Sequence, residues 1–349
     1  MDRDVTLTEL TGADVPAVVG LCRSALDLPE DGAEAAAVVA RLRDPGAPLT
    51  PPRTVNGDRD VRDTDDDRDV RDTDGDRDVP GTDDDPAGVR RIVGFVARHG
   101  GSVTGVVLGS MSTHQPTTGH VDLVAVHPDQ RRRGVGRALL GRVEEALAGL
   151  GARTVRLAGN PPYYAWPGID VRYTPAVCAA LSLGYRHDRT AWNMTVRLAG
   201  PAGPVLDTRE DEQRRAAAGI EGRAAGAADL PTLVDFARST CSGAWDAEIV
   251  DSVRQPTAGC HIAVRDGRVL AFAAYGSSRP SWFGPMGTAP AAGGLGIGGV
   301  LLRRCLADQR AAGHDRVEIG WVGPVPFYAR SVDARIERVF FLYTKDVRI

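Results

Sequence analysis

The sequence lacks any long hydrophobic run. Its longest apolar stretches, such as residues 269–274, extend for only a few residues, whereas a helix that crosses a bilayer needs about 20. The N-terminus, Met1-Asp2-Arg3-Asp4, is charged and contains no apolar segment of the kind found in secretory signals. We therefore expect a cytoplasmic protein that does not bind a membrane.

Paired cysteines are also absent. The chain has an odd number of cysteines and no Cys-x-x-Cys pair, so neither a disulfide framework nor a structural zinc site is expected. The histidines His120, His127 and His261 have no spacing typical of metal ligands. We predict no bound metal and reduced, mostly buried thiols, which are Cys22, Cys178, Cys241, Cys260 and Cys305.

An acidic repeat interrupts the first half of the chain. Residues 57–85 hold 14 Asp and 5 Arg, a net charge of −9, which leaves +5 on the rest of a chain with an overall charge of −4. The segment repeats every nine residues from Gly57 and has too little apolar surface to pack. We predict a disordered insertion over residues 48–88. The mildly basic remainder favours an anionic ligand.

Two short glycine-rich segments are the most informative feature that is present. One reads Arg-Arg-Arg-Gly-Val-Gly at 131–136, the other reads Gly-Gly-Leu-Gly-Ile-Gly at 293–298, and each opens a helix-like segment. The first N–H groups of a helix have no partner within the helix, the helix dipole favours an anion, and glycine lets a ligand approach the backbone. Both segments therefore predict a phosphate-binding loop.

The order of predicted elements is the same around both loops. Strand, two helices, hairpin, strand, glycine loop, helix and strand follow one another in each half of the 349-residue chain, a length that fits two domains of about 150 residues. We expect an α+β protein with two tandem domains, at 1–198 and 218–349, joined by a linker at 199–217. Neither loop is a dinucleotide-binding turn after a first strand, nor a Walker loop ending in Gly-Lys-Ser/Thr.

The first loop resembles the acyl-CoA loop of the GNAT N-acetyltransferases. That family has Gln/Arg-x-x-Gly-x-Gly/Ala between a strand and a helix, and Arg131, Gly134 and Gly136 fill the three places. The resemblance implies mixed, mostly antiparallel sheets flanked by helices, acetyl-CoA as the acyl donor, and a strand at 123–126 that diverges from its neighbour at 154–158. The residues implied to bind the donor are Val124, Val126, Arg131, Arg132, Arg133, Gly134, Val135, Gly136 and Arg137.

The second loop departs from the family pattern. Gly296 and Gly298 match the two glycines, and Gly294 extends the loop, but Gly293 stands where Gln or Arg is expected. This loop therefore keeps the backbone donors and lacks the side-chain charge. This pattern fits two alternatives, which are a loop that binds CoA more weakly and a loop that binds no ligand.

Acyl transfer needs a proton acceptor for the amine and a proton donor for the departing thiolate. Family members often carry a tyrosine acid on the helix after the fifth strand, and Tyr328 in the second half matches it, whereas Ala180 stands at the comparable place in the first half. Asp122 and Glu318 are the candidate bases, although a base acting through water is equally compatible. A packing role for Tyr328 is the alternative.

An aromatic segment follows the fifth strand of the first half, where the resemblance places the acceptor cleft. Asn160, Tyr164 and Trp166 combine amide and aromatic groups, which suit a polar ring or a sugar. A proline-rich loop packed against the other half is the alternative interpretation.

We therefore expect an enzyme that transfers an acetyl group to a primary amine of a small molecule, an amino sugar first, by direct attack. An acyltransferase with another acyl-CoA or a carrier-bound donor, and a non-catalytic CoA-binding scaffold, are the alternatives. Nucleic acid is not expected as a partner, because the only dense basic cluster is the loop at 131–133. A monomer and a homodimer are both compatible with the sequence.

Overall fold

The computed structural model describes residues 4–43, 90–200, 203–241 and 245–347. The predicted insertion at 48–88 lies outside these residues. The first half contains, in order, β1 (Val5–Glu9), α1 (Val15–Ala25), α2 (Pro29–Ala33), α3 (Ala35–Arg43), β2 (Ile92–His99), β3 (Ser102–Met111), β4 (Thr118–Val126), α4 (Val135–Gly149), β5 (Thr154–Leu157), β6 (Ile169–Asp170), α5 (Thr174–Ser182) and β7 (Arg186–Arg197).

The second half repeats this order after one additional helix, but without counterparts of one of the three helices α1–α3 and of β6. It contains α6 (Arg209–Ala216), β8 (Glu221–Ala224), α7 (Leu230–Thr240), α8 (Trp245–Arg254), β9 (Gly259–Arg265), β10 (Arg268–Tyr275), β11 (Trp282–Thr288), α9 (Ile297–Ala311), β12 (Arg316–Ile319), α10 (Val325–Val332) and β13 (Arg335–Asp346). Helix α6, of 8 residues, lies within the segment 199–217 that we expected to be a linker. No helix of the described residues is long and apolar enough to span a bilayer.

The strands of both halves form one continuous sheet. Its order is β1-β2-β3-β4-β5-β13-β7-β12-β11-β10-β9-β8, with β6 paired to β13 outside this path. Neighbours are antiparallel except for β4 with β5 and β11 with β12, which are parallel. The predicted α+β class, with mixed and mostly antiparallel sheets flanked by helices, is confirmed.

The two halves exchange their last strands. Strand β13 pairs with β5 of the first half, from Tyr343 opposite Leu157 to Asp346 opposite Thr154. Strand β7 pairs with β12 of the second half and also with β13. Sequence analysis missed both strands. The first residues of β7 are mostly exposed and polar, so the alternation that marks a half-buried strand is absent there.

Helices cover both faces of the sheet. On α4, Val135, Leu139, Val143 and Leu147 recur every four residues, and all four are buried against the sheet. Helix α9 packs in the same manner in the second half. Helices α1 and α3 cover the opposite face of the sheet in the first half. Helices α7 and α8 cover the same face in the second half. Each half thus has a layer of helices on either side of the strand that precedes its glycine loop.

Candidate active sites at the two strand divergences

The loop before α4 has a backbone shaped for an anion. Arg132 and Gly134 adopt left-handed conformations, with φ of 65° and 82°. Helix α4 begins at Val135, and no side chain caps it at Gly134. The N–H groups of its first turn, which have no acceptor within the helix, therefore face the loop. Successive N–H groups in such a turn form a concave site for phosphate oxygens.

The arginines of this loop divide into two roles. The guanidinium of Arg131 donates to the carbonyl oxygens of Ala25 and Val126, at 2.8 and 3.2 Å, and pairs with Asp27 at 3.1 Å. Its side chain therefore anchors the loop to the end of α1. The side chains of the remaining basic residues, Arg132, Arg133 and Arg137, lie at the surface around the helix start.

The strand before this loop diverges from its parallel neighbour. Strands β4 and β5 pair only from Thr118–Thr154 to His120–Arg156. Directly beyond, Asp122 is the extra residue of a β-bulge, because Leu123 pairs with Leu108 while Val121 pairs with Gly109. Bulges of this kind are frequent beside active sites. Val124 and Val126 continue β4 along the opening towards the loop and are half-buried.

The acceptor side of this first opening is filled by the protein itself. The Asp122 carboxylate pairs with Arg90 at 2.7 Å, and both side chains are only 1% exposed. Arg90 also donates to the hydroxyl of Ser110, which accepts from the amide of Asn160 at 2.8 Å. Burial raises the pKa of Asp122 despite the opposing charge of Arg90. Asn160 therefore contacts the interior of the first half and not a free cleft.

The second glycine loop has the same backbone form. Gly294 and Gly296 have φ of 76° and 69°, and α9 begins at Ile297 without a side-chain cap. Strands β11 and β12 pair only at Trp282–Glu318 and Phe283–Ile319 before they diverge. Opposite β10, β11 carries an extra residue in the Gly284–Pro285 segment, at the place equivalent to Asp122. The two openings are thus built alike.

A guanidinium from α6 supplies the second loop with a positive charge. Arg215 lies so close to Gly296 that an added Cβ would overlap its terminal nitrogen. Its Nη1 donates to Asp211 within the same helix, while its Nε is buried and has no partner among the described residues. The loop therefore has an arginine beside it, although Gly293 occupies the family's arginine position. Sequence analysis missed this residue because α6 is distant in the chain.

Tyr328 lies beneath the second opening. It is 6% exposed, and its ring packs edge-on against Phe283 of β11 and Phe327 of α10, with centroids 6.1 and 5.0 Å away. Burial raises the pKa of the phenol, so it stays protonated at neutral pH. Phe327 also lies near Gly298 at the start of α9. Tyr328 is therefore on the same side of the sheet as the glycine loop.

Glu318 belongs to a buried charge network at the junction of the halves. We name this network the junction cluster; its members are Asp31, Glu34, Asp170, Arg279, Glu318 and Arg338. Glu318 accepts from the amide of Asn193 and lies 3.3 Å from Arg338 and 3.5 Å from Arg279. Its carboxylate is thus enclosed by donors rather than directed at the opening.

Asp31 is the centre of the junction cluster. Arg338 donates to both of its oxygens, at 2.8 and 2.9 Å, and the indole of Trp166 and the phenol of Tyr173 donate at 2.8 and 3.0 Å. Burial alone would raise the pKa of Asp31, but Arg338 and Arg279 outweigh it and hold that pKa below its usual value. The ion pairs of Asp31 with Arg338 and Arg279 therefore connect the two halves, and Trp166 holds Asp31 from the first half.

Tyr164 reaches from the first half into the second. Its ring centroid lies 5.4 Å from that of Trp282 on β11 and 5.5 Å from that of Trp321 after β12, both edge-on. We call these three side chains the aromatic box. The three residues predicted to form one acceptor site are therefore separated. Asn160 lies in the interior of the first half, Trp166 is hydrogen-bonded to Asp31 of the junction cluster, and Tyr164 lies at the second opening.

Glu248 on α8 is a carboxylate that sequence analysis missed. Its side chain is buried, at 6% exposure, and has no hydrogen-bond or ion-pair partner among the described residues. Burial, together with the nearby charges of Asp251 and Asp246, raises the pKa of Glu248 to about 8. The available signal was its spacing four residues before Ser252 on the buried face of an amphipathic helix.

Comparisons with known proteins agree with this architecture. A family model described as the Acetyltransferase (GNAT) family matches residues 61–165. Over 239 residues the chain is 32% identical to a mycothiol acetyltransferase of Salinispora tropica, an alignment that covers 62% of this chain and 68% of that protein. The chain belongs to the GNAT family of acetyltransferases, as the first glycine loop predicted.

Solved structures show the same fold over nearly the whole chain. A tandem GNAT protein from the clavulanic acid biosynthesis pathway superposes with a TM-score of 0.62, at 15% identity and over 98% of both chains. The glucosamine N-acetyltransferase region of a fungal multi-domain GH3 β-N-acetylglucosaminidase gives 0.67 at 15% identity, over 98% of this chain and 38% of that one. The predicted tandem arrangement is confirmed, and the protein is a GNAT-family N-acetyltransferase.

Proposed function

We propose that the protein transfers the acetyl group of acetyl-CoA to a primary amine of a small molecule by direct attack. The observation that carries this proposal is the repeated geometry of a left-handed, uncapped loop beside two diverging parallel strands. The loop suits the pyrophosphate of CoA, through backbone N–H groups and nearby guanidinium groups. The divergence leaves unpaired strand backbone for the pantetheine arm, and it opens a path for the thioester through the sheet.

We further propose that the reaction takes place in the second half. Tyr328 is available there to protonate the departing thiolate, and Arg215 compensates for the missing arginine of the loop. In the first half, the Arg90–Asp122 pair fills the acceptor side, and α5 carries no tyrosine. The first half would then bind acetyl-CoA through Arg132, Arg133 and Arg137 without turning it over.

We propose an amino sugar as the first acceptor to test. The aromatic box supports a ring-shaped polar acceptor, because aromatic faces pack against sugar rings and attract cations. The relative from Salinispora tropica is named a mycothiol acetyltransferase, and one structural neighbour is described as a glucosamine N-acetyltransferase region. Tyr164 and Trp321 are half-buried at the second opening, which supports an acceptor site there.

Calorimetric titration with acetyl-CoA tests the two proposed loops separately. We expect the wild type to bind two molecules of acetyl-CoA, one at each loop. Gly134→Asp should lose binding at the first loop and Gly296→Asp at the second, and each variant should keep the wild-type affinity at its other loop. An aspartate at either position repels phosphate, and at these left-handed positions, where Gly296 also lies against Arg215, it distorts the loop as well, so the lost event should weaken at least about tenfold.

The matched control for these variants is Gly141→Asp, since a Cβ at Gly141 within α4 meets no atom within 4 Å. This variant should bind like the wild type. A wild type that binds no acetyl-CoA, or loop variants that both keep two events, would contradict the proposed binding sites.

A further inference from the structure

The unpartnered carboxylate of Glu248 lies on the side of the sheet opposite Tyr328. Helix α8 packs with α7 against Phe272, Ala274 and Ile262, whereas Tyr328 packs with α9 against the other face. Trp245, at the start of α8, and Cys241 lie against Gly287 of β11, beyond the point at which β11 and β12 diverge. Glu248 and Tyr328 therefore flank the second opening from its two sides.

The aromatic box lies on the same side as Glu248. Phe283 faces α9, so the preceding residue of β11, Trp282, faces α8. Tyr164 packs against Trp282, and burial together with the charge of Glu248 raises the pKa of its phenol. Because Tyr164 comes from the first half and Glu248 from the second, this region is complete only when both halves are present.

Two further polar atoms in this region lack partners among the described residues. They are the indole Nε1 of Trp282, whose residue is 6% exposed, and the hydroxyl of Ser252, which is fully buried one helical turn after Glu248. Buried polar groups without partners are rare in folded proteins, and they often mark a place where a ligand or water is held. Donors, a carboxylate and aromatic faces together fit a polar amine.

From these contacts, the geometry points to an acceptor pocket shared by the two halves, in which Glu248 takes the proton of the amine beside the aromatic box. This inference rests on the proposed function and names the base and the acceptor site for it. The expected ligand is a small primary amine that arrives as an ammonium ion, which a carboxylate and aromatic faces both attract.

The ammonium gives one proton to Glu248, which passes it to water, and the free amine attacks the carbonyl carbon of the thioester. The C–N bond forms, the C–S bond breaks, and the second amine proton leaves to solvent. The thiolate takes a proton from Tyr328, which is restored from water. One ammonium and one acetyl-CoA thus give one amide, one CoA thiol and one proton.

Glu248→Gln, which keeps the shape of the side chain and removes its basicity, tests the assignment. Thiol release from acetyl-CoA is measured with a panel of primary amines that includes glucosamine. We expect kcat with the best acceptor to fall about 100-fold, in the range of general-base effects. The affinity for acetyl-CoA should stay at the wild-type value in calorimetry. Glu145→Gln, an exposed change on α4, is the matched control and should leave both quantities unchanged.

The pH profile separates a base from a structural residue. The wild-type kcat/KM for the amine should rise with pH to an inflection near 8, the value to which burial raises the pKa of Glu248, and the variant should lose that inflection. The charged groups facing Glu248 are Asp246 and Asp251, which pair with Arg238 and Arg41, and the phenol of Tyr164.

The outcomes distinguish the two proposals. If the wild type acetylates an amine and Glu248→Gln keeps its kcat and its pH inflection, the assignment of Glu248 is overturned and the proposed function stands. If the wild type binds acetyl-CoA and acetylates no amine of the panel, the proposed function fails, and the shared pocket fails with it.

Discussion

Replacing Tyr328 by phenylalanine is expected to lower kcat for acetyl transfer about 1,000-fold, within the range for loss of a general acid or base. The change removes one hydroxyl from a ring that packs between Phe283 and Phe327, so the packing should persist. The affinity for acetyl-CoA in calorimetry should be unchanged, because the hydroxyl acts only as the thiolate leaves. Stopped-flow measurement of thiol release at saturating acetyl-CoA and amine gives the rate.

Tyr343→Phe is the matched control for this variant. Tyr343 is also buried, at 2% exposure, but lies on β13 away from the second opening. Removing the hydroxyl of Tyr343 should leave kcat at the wild-type value. If Tyr328→Phe retains more than about a tenth of the wild-type rate, Tyr328 is a packing residue and the thiolate is protonated by solvent.

Asp31→Asn is expected to lower the free energy of unfolding by about 3–5 kcal/mol, the usual cost of removing one partner from a buried ion pair. The substitution leaves Arg338 and Arg279 enclosed in the junction cluster without the carboxylate that both contact. Urea denaturation followed by tryptophan fluorescence measures the effect, with Trp166 itself hydrogen-bonded to Asp31.

The pH dependence provides a second check on Asp31. Its pKa is lowered in the folded protein, so the stabilisation is complete above the unfolded pKa of about 4 and is lost as the pH falls through the folded value. The stability difference between the wild type and Asp31→Asn should therefore narrow in acid. Asp129→Asn, at a side chain that is 85% exposed, should match the wild type at every pH. Equal stability of both variants would refute the role of the cluster.

The features that could be predicted from the sequence are those that depend on residues close together in the chain. The glycine loops, the helices that follow them and the internal duplication are local patterns of backbone freedom and apolar spacing. They predicted a helix directly after each loop, and α4 and α9 do begin there, at Val135 and Ile297. Tyr328 was predicted because the resemblance implies a tyrosine on the helix after the fifth strand, and it does lie on the helix α10 that follows β12.

The remaining features depend on contacts between distant segments. Arg215 lies beside the second glycine loop although its helix is almost 80 positions earlier than Gly293, and no local pattern links the two. Tyr164 was assigned to an acceptor site of the first half, whereas its ring packs against the second half, as the alternative interpretation of its loop had it. Glu248 resembles any acidic residue of an amphipathic helix until its burial is known. Tertiary packing, not composition, determines these three positions.

The exchanged strands determine what a protease can separate. Cleavage in the segment between β7 and β8 would cut the covalent connection of the halves, yet β13 would remain hydrogen-bonded between β5 and β7. The pairing of Thr154 with Asp346 spans 192 positions, more than any other strand pairing of the described residues, so the centre of the sheet closes late in the chain. Non-local pairing slows folding and makes it cooperative across both halves. A nicked protein should therefore stay assembled and unfold as one unit.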